Sequence, residues 1–299
     1  NGLFRWVSSA RSEVRDDVYV IVDRVVEGTT KKYIEVADER DVSDIRTLFF
    51  VDSGLTFEAP RVSVSDINDG GHVSAIGHGL IAGDEIQFCD LASSDTEKND
   101  YINYQRVQVL SVVGPDAFMV GEIGTGYAWD DGGYDWSGLE SFCFQKLATV
   151  VSGLDHLEGQ LVSVLVDGRS DEQQTVASGS LSFPNGVATL VAGLQITGQV
   201  ETLDLIGDAG TQTLEGVKRS IDEITVRVLE SRGLKVGPSF DRLLEFEVDA
   251  VVNGPEELNT GAFSIVPQGE WSRGRVCLET TEPLPVTILA ITPEVSIGE

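Results

Sequence analysis

The chain is poor in the residues that most often carry chemistry. Its 299 residues include three histidines, three cysteines and one methionine. His72, His78 and His156 stand in neither HExxH nor any other two-histidine spacing, so no zinc centre of that kind is expected. Cys89, Cys143 and Cys277 form no CxxC pair, and an odd number cannot make a complete disulfide framework. All three are expected to be free, mostly buried thiols, which suits a reducing compartment. A GxSxG elbow, a Walker loop and a GxGxxG after a strand are also missing. No catalytic residue, cofactor or metal site is therefore expected.

Basic charge is scarce too. Lys and Arg total 21 against 49 Asp and Glu, a formal charge of -28 spread along the chain. The local basic clusters, Lys31-Lys32 and Lys218-Arg219, are two residues each. That excludes a phosphate-gripping nucleic-acid surface, which needs clustered cations to replace condensed counterions. No apolar run approaches the roughly 20 residues of a membrane helix, so no membrane span is expected. A signal-peptide plan is missing as well, so secretion is not indicated. The first residue is Asn1 rather than Met, and further sequence upstream is expected.

What is present is strand periodicity, which predicts a mainly β fold. Alternation over residues 18 to 37, turning at Glu27-Gly28, predicts a hairpin. Residues 38 to 50 read as a short helix or an irregular crossing before the strand at Phe49-Phe50-Val51. Strands are predicted near Val62, near Val73, over 85 to 88, 105 to 113 and 118 to 120. The last two are joined by Gly114-Pro115-Asp116, where Pro presets φ. Further strands over 161–166, 173–177, 180–183 and 187–191 are separated by Asp-Gly, Ser-Gly and Pro-Asn-Gly turn signals, the spacing of a sandwich or barrel. Ile224, Val226 and Val228 alternate with Thr225 and Arg227, which outweighs some helical character over 214 to 221. Pro283 and Pro285 place the start of a final strand, 286 to 291, at a sheet edge.

Residues 153 to 168, GLDHLEGQLVSVLVDG, are the most specific stretch: a Gly-bracketed loop, a buried β-branched strand and an Asp-Gly hairpin turn. The stretch resembles the C-terminal part of the tail nozzle proteins of short-tailed bacteriophages (podoviruses), also called tail tubular protein B. Val18 to Ala37, Phe49 to Thr56 (FFVDSGLT), Ser231 to Pro238 (SRGLKVGP) and Glu282 to Val295 (EPLPVTILAITPEV) are similar to that family in the same order. Residues 61 to 148 stand between FFVDSGLT and GLDHLEG and read as an insertion. Its order HGLxxGDxIxF, VxV, DAFMV resembles a small β-barrel module of phage tail proteins that is similar to one in ubiquitin-activating enzymes. The expected organisation is a hairpin segment over 1–60, a small barrel over 61–148 and a β-sandwich-like domain over 149–299 packing with the first. The resemblance implies a virion protein assembled in the host cytoplasm. It implies a homo-oligomeric ring of six, contacts to an adaptor and to tail fibre proteins, and passage of double-stranded DNA that negative walls do not hold.

Two segments hold candidate site residues. Gly153, Leu154, Asp155, His156, Leu157, Glu158 and Gly159 form the family-like loop, where His156 is expected to fix the loop by hydrogen bonds rather than act as an acid or base. Tyr127, Trp129, Tyr134 and Trp136 cluster with acids in GYAWDDGGYDW. Such rings can stack on a glycan, giving a host-surface binding module, or can fill a core or subunit interface. Asp66, Asn68 and Asp69, and Asp130, Asp131 and Asp135, lack full calcium-loop spacing and are expected in solvated turns.

Overall fold

A computed structural model describes residues 2–11, 16–26, 28–37, 42–68, 70–93, 95–130, 132, 136, 142–203, 219–246, 254–266 and 275–297. The fold is mainly β, built from antiparallel sheets, none of which closes into a barrel among the described residues. Strands Leu3–Arg11, Asp16–Val26 and Thr29–Ala37 form the first sheet. Its second and third strands pair from Val18 opposite Ala37 to Val26 opposite Thr29, the hairpin expected from alternation. Residues 45–47 form a single 3-10 turn before the strand Val51–Glu58.

That strand ends the four-stranded sheet Arg169–Thr175, Leu161–Val166, Thr189–Gln195, Val51–Glu58. A second layer pairs Ala148–Ser152 with Ser180–Val187. Val162, Val164, Leu190 and Ala192 of the first layer share one core with Val151, Leu181, Phe183 and Val187 of the second, the packing of a β-sandwich. Further along, Ile221, Ile224, Val226 and Val228 face Leu234, Val236 and Leu278 across another core. The stretch from 149 onward thus carries two such cores. Ile45, Leu48, Val51, Leu165, Val191 and Leu284 make a smaller cluster on the other face of the four-stranded sheet.

The inserted segment is a seven-stranded sheet in the order Arg61–Val64, Phe142–Lys146, Glu85–Cys89, Arg106–Gly114, Ala117–Gly121, His72–Ser74, Asp66–Asn68. Its sides share a core that includes Phe88, Phe118 and Phe144. The expected barrel is not closed. Its two edge strands are one run of chain through Ser65, which pairs with Phe142–Lys146 over 61–64 and with His72–Ser74 over 66–68, so that the two ends of the sheet meet along this run. Pro184-Asn185-Gly186, expected to be a turn, lies inside the strand Ser180–Val187. The last strand runs from Ile288 to Ile297 at a sheet edge, later than expected, and carries Pro293 opposite Ile224. Residues 214 to 218 lie outside the described residues.

The cysteines are a correction. Cys89 and Cys143, 54 positions apart in sequence, face each other across adjacent strands at a Cα separation of 5.0 Å and are joined by a disulfide. Cys277 stays free and buried. Sheet register brings the pair together, and no spacing in the sequence reports that register. The free-thiol argument for a reducing compartment therefore falls. Titration of the unfolded, unreduced chain is expected to find one thiol, Cys277; three would refute the bond. Replacing Cys89 and Cys143 together by Ala is expected to lower stability by about 2–4 kcal/mol in chemical unfolding.

Candidate functional site

Three of the family-like segments meet at one place. Arg24, on the second strand, is buried at 3% exposure, and a buried guanidinium must be paired. It donates from Nε to Glu35 at 2.7 Å and from Nη1 to Asp52 at 3.0 Å. Ser53 Oγ donates to the same Glu35 carboxylate at 2.9 Å. Burial alone would raise the Glu35 carboxyl, but the hydrogen bonds from Arg24 and Ser53 outweigh it and hold it below the usual range. The carbonyl of Ser53 accepts from His156 Nε2 at 2.7 Å, and the carbonyl of His156 accepts from the Tyr33 hydroxyl at 3.0 Å. Hairpin, strand and loop are thereby locked in one network.

The GLDHLEG loop supplies the rest of that lock. Residues 155–157 form a 3-10 turn, and Leu154 and Leu157 drop fully buried into the sandwich core. Glu158 accepts from the backbone N–H groups of Ser178 and Gly179 at 3.0 and 2.7 Å. Gly153 and Gly159 bracket the loop, donating to the carbonyls of Gly179 and Val176. His156 thus fixes the loop by hydrogen bonding, the expected role.

The remaining two family-like segments form a second lock. Ser231 Oγ accepts from the Thr287 N–H at 2.7 Å, and the N–H of Arg232 donates to the Pro285 carbonyl at 3.0 Å. Gly233 has φ +70°, and a Cβ there would stand 2.8 Å from Glu282 Oε2. Burial, then the neighbouring Glu245 and Glu256, push the Glu282 carboxyl up, against the pull of Lys235 and Arg232.

Another joint ties the inserted sheet to the sandwich. Asp167 and Gly168 have φ of 50° and 78°, the signs of a type I′ hairpin turn. A Cβ on Gly168 would come within 2.6 Å of Pro255. The Asp167 carboxylate accepts from the N–H groups of Ala188 and Thr189 at 3.0 and 2.6 Å and pairs with Arg106 of the inserted sheet. Beside it lies a 540 Å³ polar cleft lined by Gln87, Tyr104, Arg106, Asp167, Arg169 and Asp171, among others. Asp167 is already engaged, so it and Asp171 are not a pair of unengaged carboxylates of the kind that flanks a scissile sugar bond.

The aromatic segment is placed differently from what stacking on a glycan requires. Trp129 and Trp136 are buried, 4% and 2% exposed, with ring centroids 5.5 Å apart. Tyr101 lies 6.1 Å from the first and 6.3 Å from the second, and Lys98 sits over the Trp136 ring at 4.9 Å. These indoles fill the core of the inserted sheet. Tyr127 is exposed at 73%, and Tyr134 lies outside the described residues, as do Asp69, Asp131 and Asp135. Asp130 bonds the N–H of Gly132 at 3.0 Å, as a turn aspartate does. His78 receives the N–H of Leu80 on Nδ1 and reaches the Gly114 carbonyl with Nε2, holding a loop.

Cys89, Asp90 and Cys143 group within 4.8 Å, but the sulfurs are bonded to each other and Asp90 pairs with Arg61, so this is no metal centre. The helix Thr96–Ile102, which carries Lys98 and Tyr101, escaped the sequence reading; its signal was Asp95 as N-cap, accepting from Lys98 N–H at 3.2 Å. Arg24 escaped it as well, although an arginine inside VYVIVDRVV calls for a buried partner. No protein-family model matches the chain, and no curated protein matches it.

Leu157→Ala is expected to cost about 2–5 kcal/mol in urea unfolding, because it empties a fully buried site beneath the loop; a loss under half a kilocalorie would show that the loop is not anchored there. Glu282 predicts a pH effect. With its carboxyl raised in the folded state, the stability it contributes is complete below the unfolded value and is lost as pH rises through the folded one. Glu282→Gln should therefore melt at a higher temperature than the parent at pH 7.5, with the gap closing at pH 4.

Proposed function

We propose that this protein is a structural subunit of a phage tail nozzle, forming part of the conduit through which DNA leaves the particle and a platform for tail fibres. The observation that carries the reading is the use of the family-like segments: all five are engaged in structural hydrogen bonds, three of them in a network that joins the first sheet to the sandwich and two where the pairing of Arg219–Ser231 with Ile288–Ile297 runs on past its end. A loop kept for chemistry would leave polar groups turned to a substrate, whereas His156 and Glu158 are engaged with backbone. A cross-braced β scaffold suits a conduit that must hold its shape. The charge of -28 suits one whose walls must not retain phosphates. Identical copies, six by the family resemblance, would close a ring when one face binds a different face of the next copy. A particle released from its host meets an oxidising exterior, where the Cys89–Cys143 bond would persist.

The test is the mass of the purified chain by light scattering over a concentration series, alone and with the adaptor. A closed ring, formed alone or on the adaptor, is the expected result; a monomer at every concentration that ignores the adaptor would overturn the reading.

A further inference from the structure

The first sheet has one face on the lock, covered over its second and third strands although Phe4 and Val7 of the first strand are exposed there, and an opposite, bare face that is exposed along all three strands. Antiparallel register sets the bare face in rows: Leu3, Asp23 and Lys32; Trp6, Ile21 and Ile34; Ser8, Tyr19 and Val36. Alternation along Thr29–Ala37 separates it cleanly, with Lys32, Ile34 and Val36 exposed and Tyr33 and Glu35 turned inward. Trp6 is 58% exposed and Ile34 78%, and Leu3, Tyr19, Val25 and Val36 are exposed around them. None of these side chains belongs to a hydrophobic core of the described residues.

Together they leave on the order of several hundred Å² of apolar surface, at the upper end of what monomers leave bare and near the roughly 800 Å² that each partner buries in a standard interface. Charge says what could cover it. The three strands hold Arg5, Arg11, Arg24, Lys31 and Lys32 against Asp16, Asp17, Asp23 and Glu35, a balance of +1 in a chain of -28. On the bare face, Asp23 is clasped by both Arg5 and Lys32 at 2.7 Å. Two copies of so acidic a chain repel one another almost anywhere, and least where one of them presents this sheet.

We propose that the bare face of the first sheet docks on an acidic face of a second copy of this chain, forming the head-to-tail contact of the ring. This rests on the nozzle reading and names its interface. Opposite faces in contact make the interface heterologous, the kind that generates rings rather than two-fold dimers. Apolar side chains supply the burial, and Arg5 and Lys32 supply attraction that weakens with salt.

The test introduces Ile34→Glu and Trp6→Glu, singly, into the full chain; both side chains face solvent, so the monomer should keep its melting temperature. Light scattering then compares each variant with the parent, alone and on the adaptor, at low and high salt. The expected result is a parent that assembles and variants whose association is weaker by at least about tenfold, the loss of a well-packed anchor. Two further variants, Ile76→Glu and Val113→Glu, probe exposed apolar residues of the inserted sheet and should assemble like the parent. If the Trp6 and Ile34 variants assemble as the parent does, the interface is refuted while the nozzle reading stands. If the parent never assembles, even on the adaptor, the nozzle reading fails and takes the interface with it.

Discussion

The buried guanidinium of Arg24 is the constraint on which the first third of the chain depends. An unpaired charge in that position would cost several kcal/mol, so Glu35 and Asp52 must both arrive. Asp52 arrives with Ser53, whose carbonyl takes His156, whose own carbonyl takes Tyr33. One paired charge therefore sets the docking of the first sheet on the sandwich and the seating of the loop at residues 153–159. With its inner face held in this way, the sheet is left with its apolar outer face bare.

Asp167 does for the inserted sheet what Arg24 does for the first. As part of a two-residue turn it cannot move without breaking the hairpin, and its carboxylate is shared between backbone N–H groups of the neighbouring strand and Arg106. Arg106 also donates to the carbonyl of Asn185 at 3.0 Å. The insertion is thus tethered at a point where the sandwich is already rigid. Its own integrity comes from an aromatic core and a cross-strand disulfide.

Much of the local structure could be read directly from residue order. The hairpin over 18 to 37, the turn at Asp167-Gly168, the strand at 161 to 166 and the inward side of Ile224, Val226 and Val228 all follow from alternation and turn chemistry. Pro184-Asn185-Gly186 misled in part: its composition signals a turn between strands, but it lies within one strand, at an irregularity where the register slips from Val150 opposite Ser182 to Ala148 opposite Val187 and Gly186 takes φ +67°. The aromatic segment was ambiguous because Trp129 and Trp136 have the same composition whether they face a sugar or a core, and only the enclosing strands separate the two.

Residue order by itself determined the β character, the hairpin turns, the acidic balance and the apolar stripe of each strand, because these depend on neighbours one or two positions away. Tertiary structure alone decided that Cys89 meets Cys143, that Arg24 reaches Asp52, that the run through Ser65 borders both ends of the inserted sheet and that the indoles are buried. Each of those depends on strand register and on the approach of segments tens of residues apart. Such approaches are settled by the summed packing of whole sheets, which no local pattern encodes.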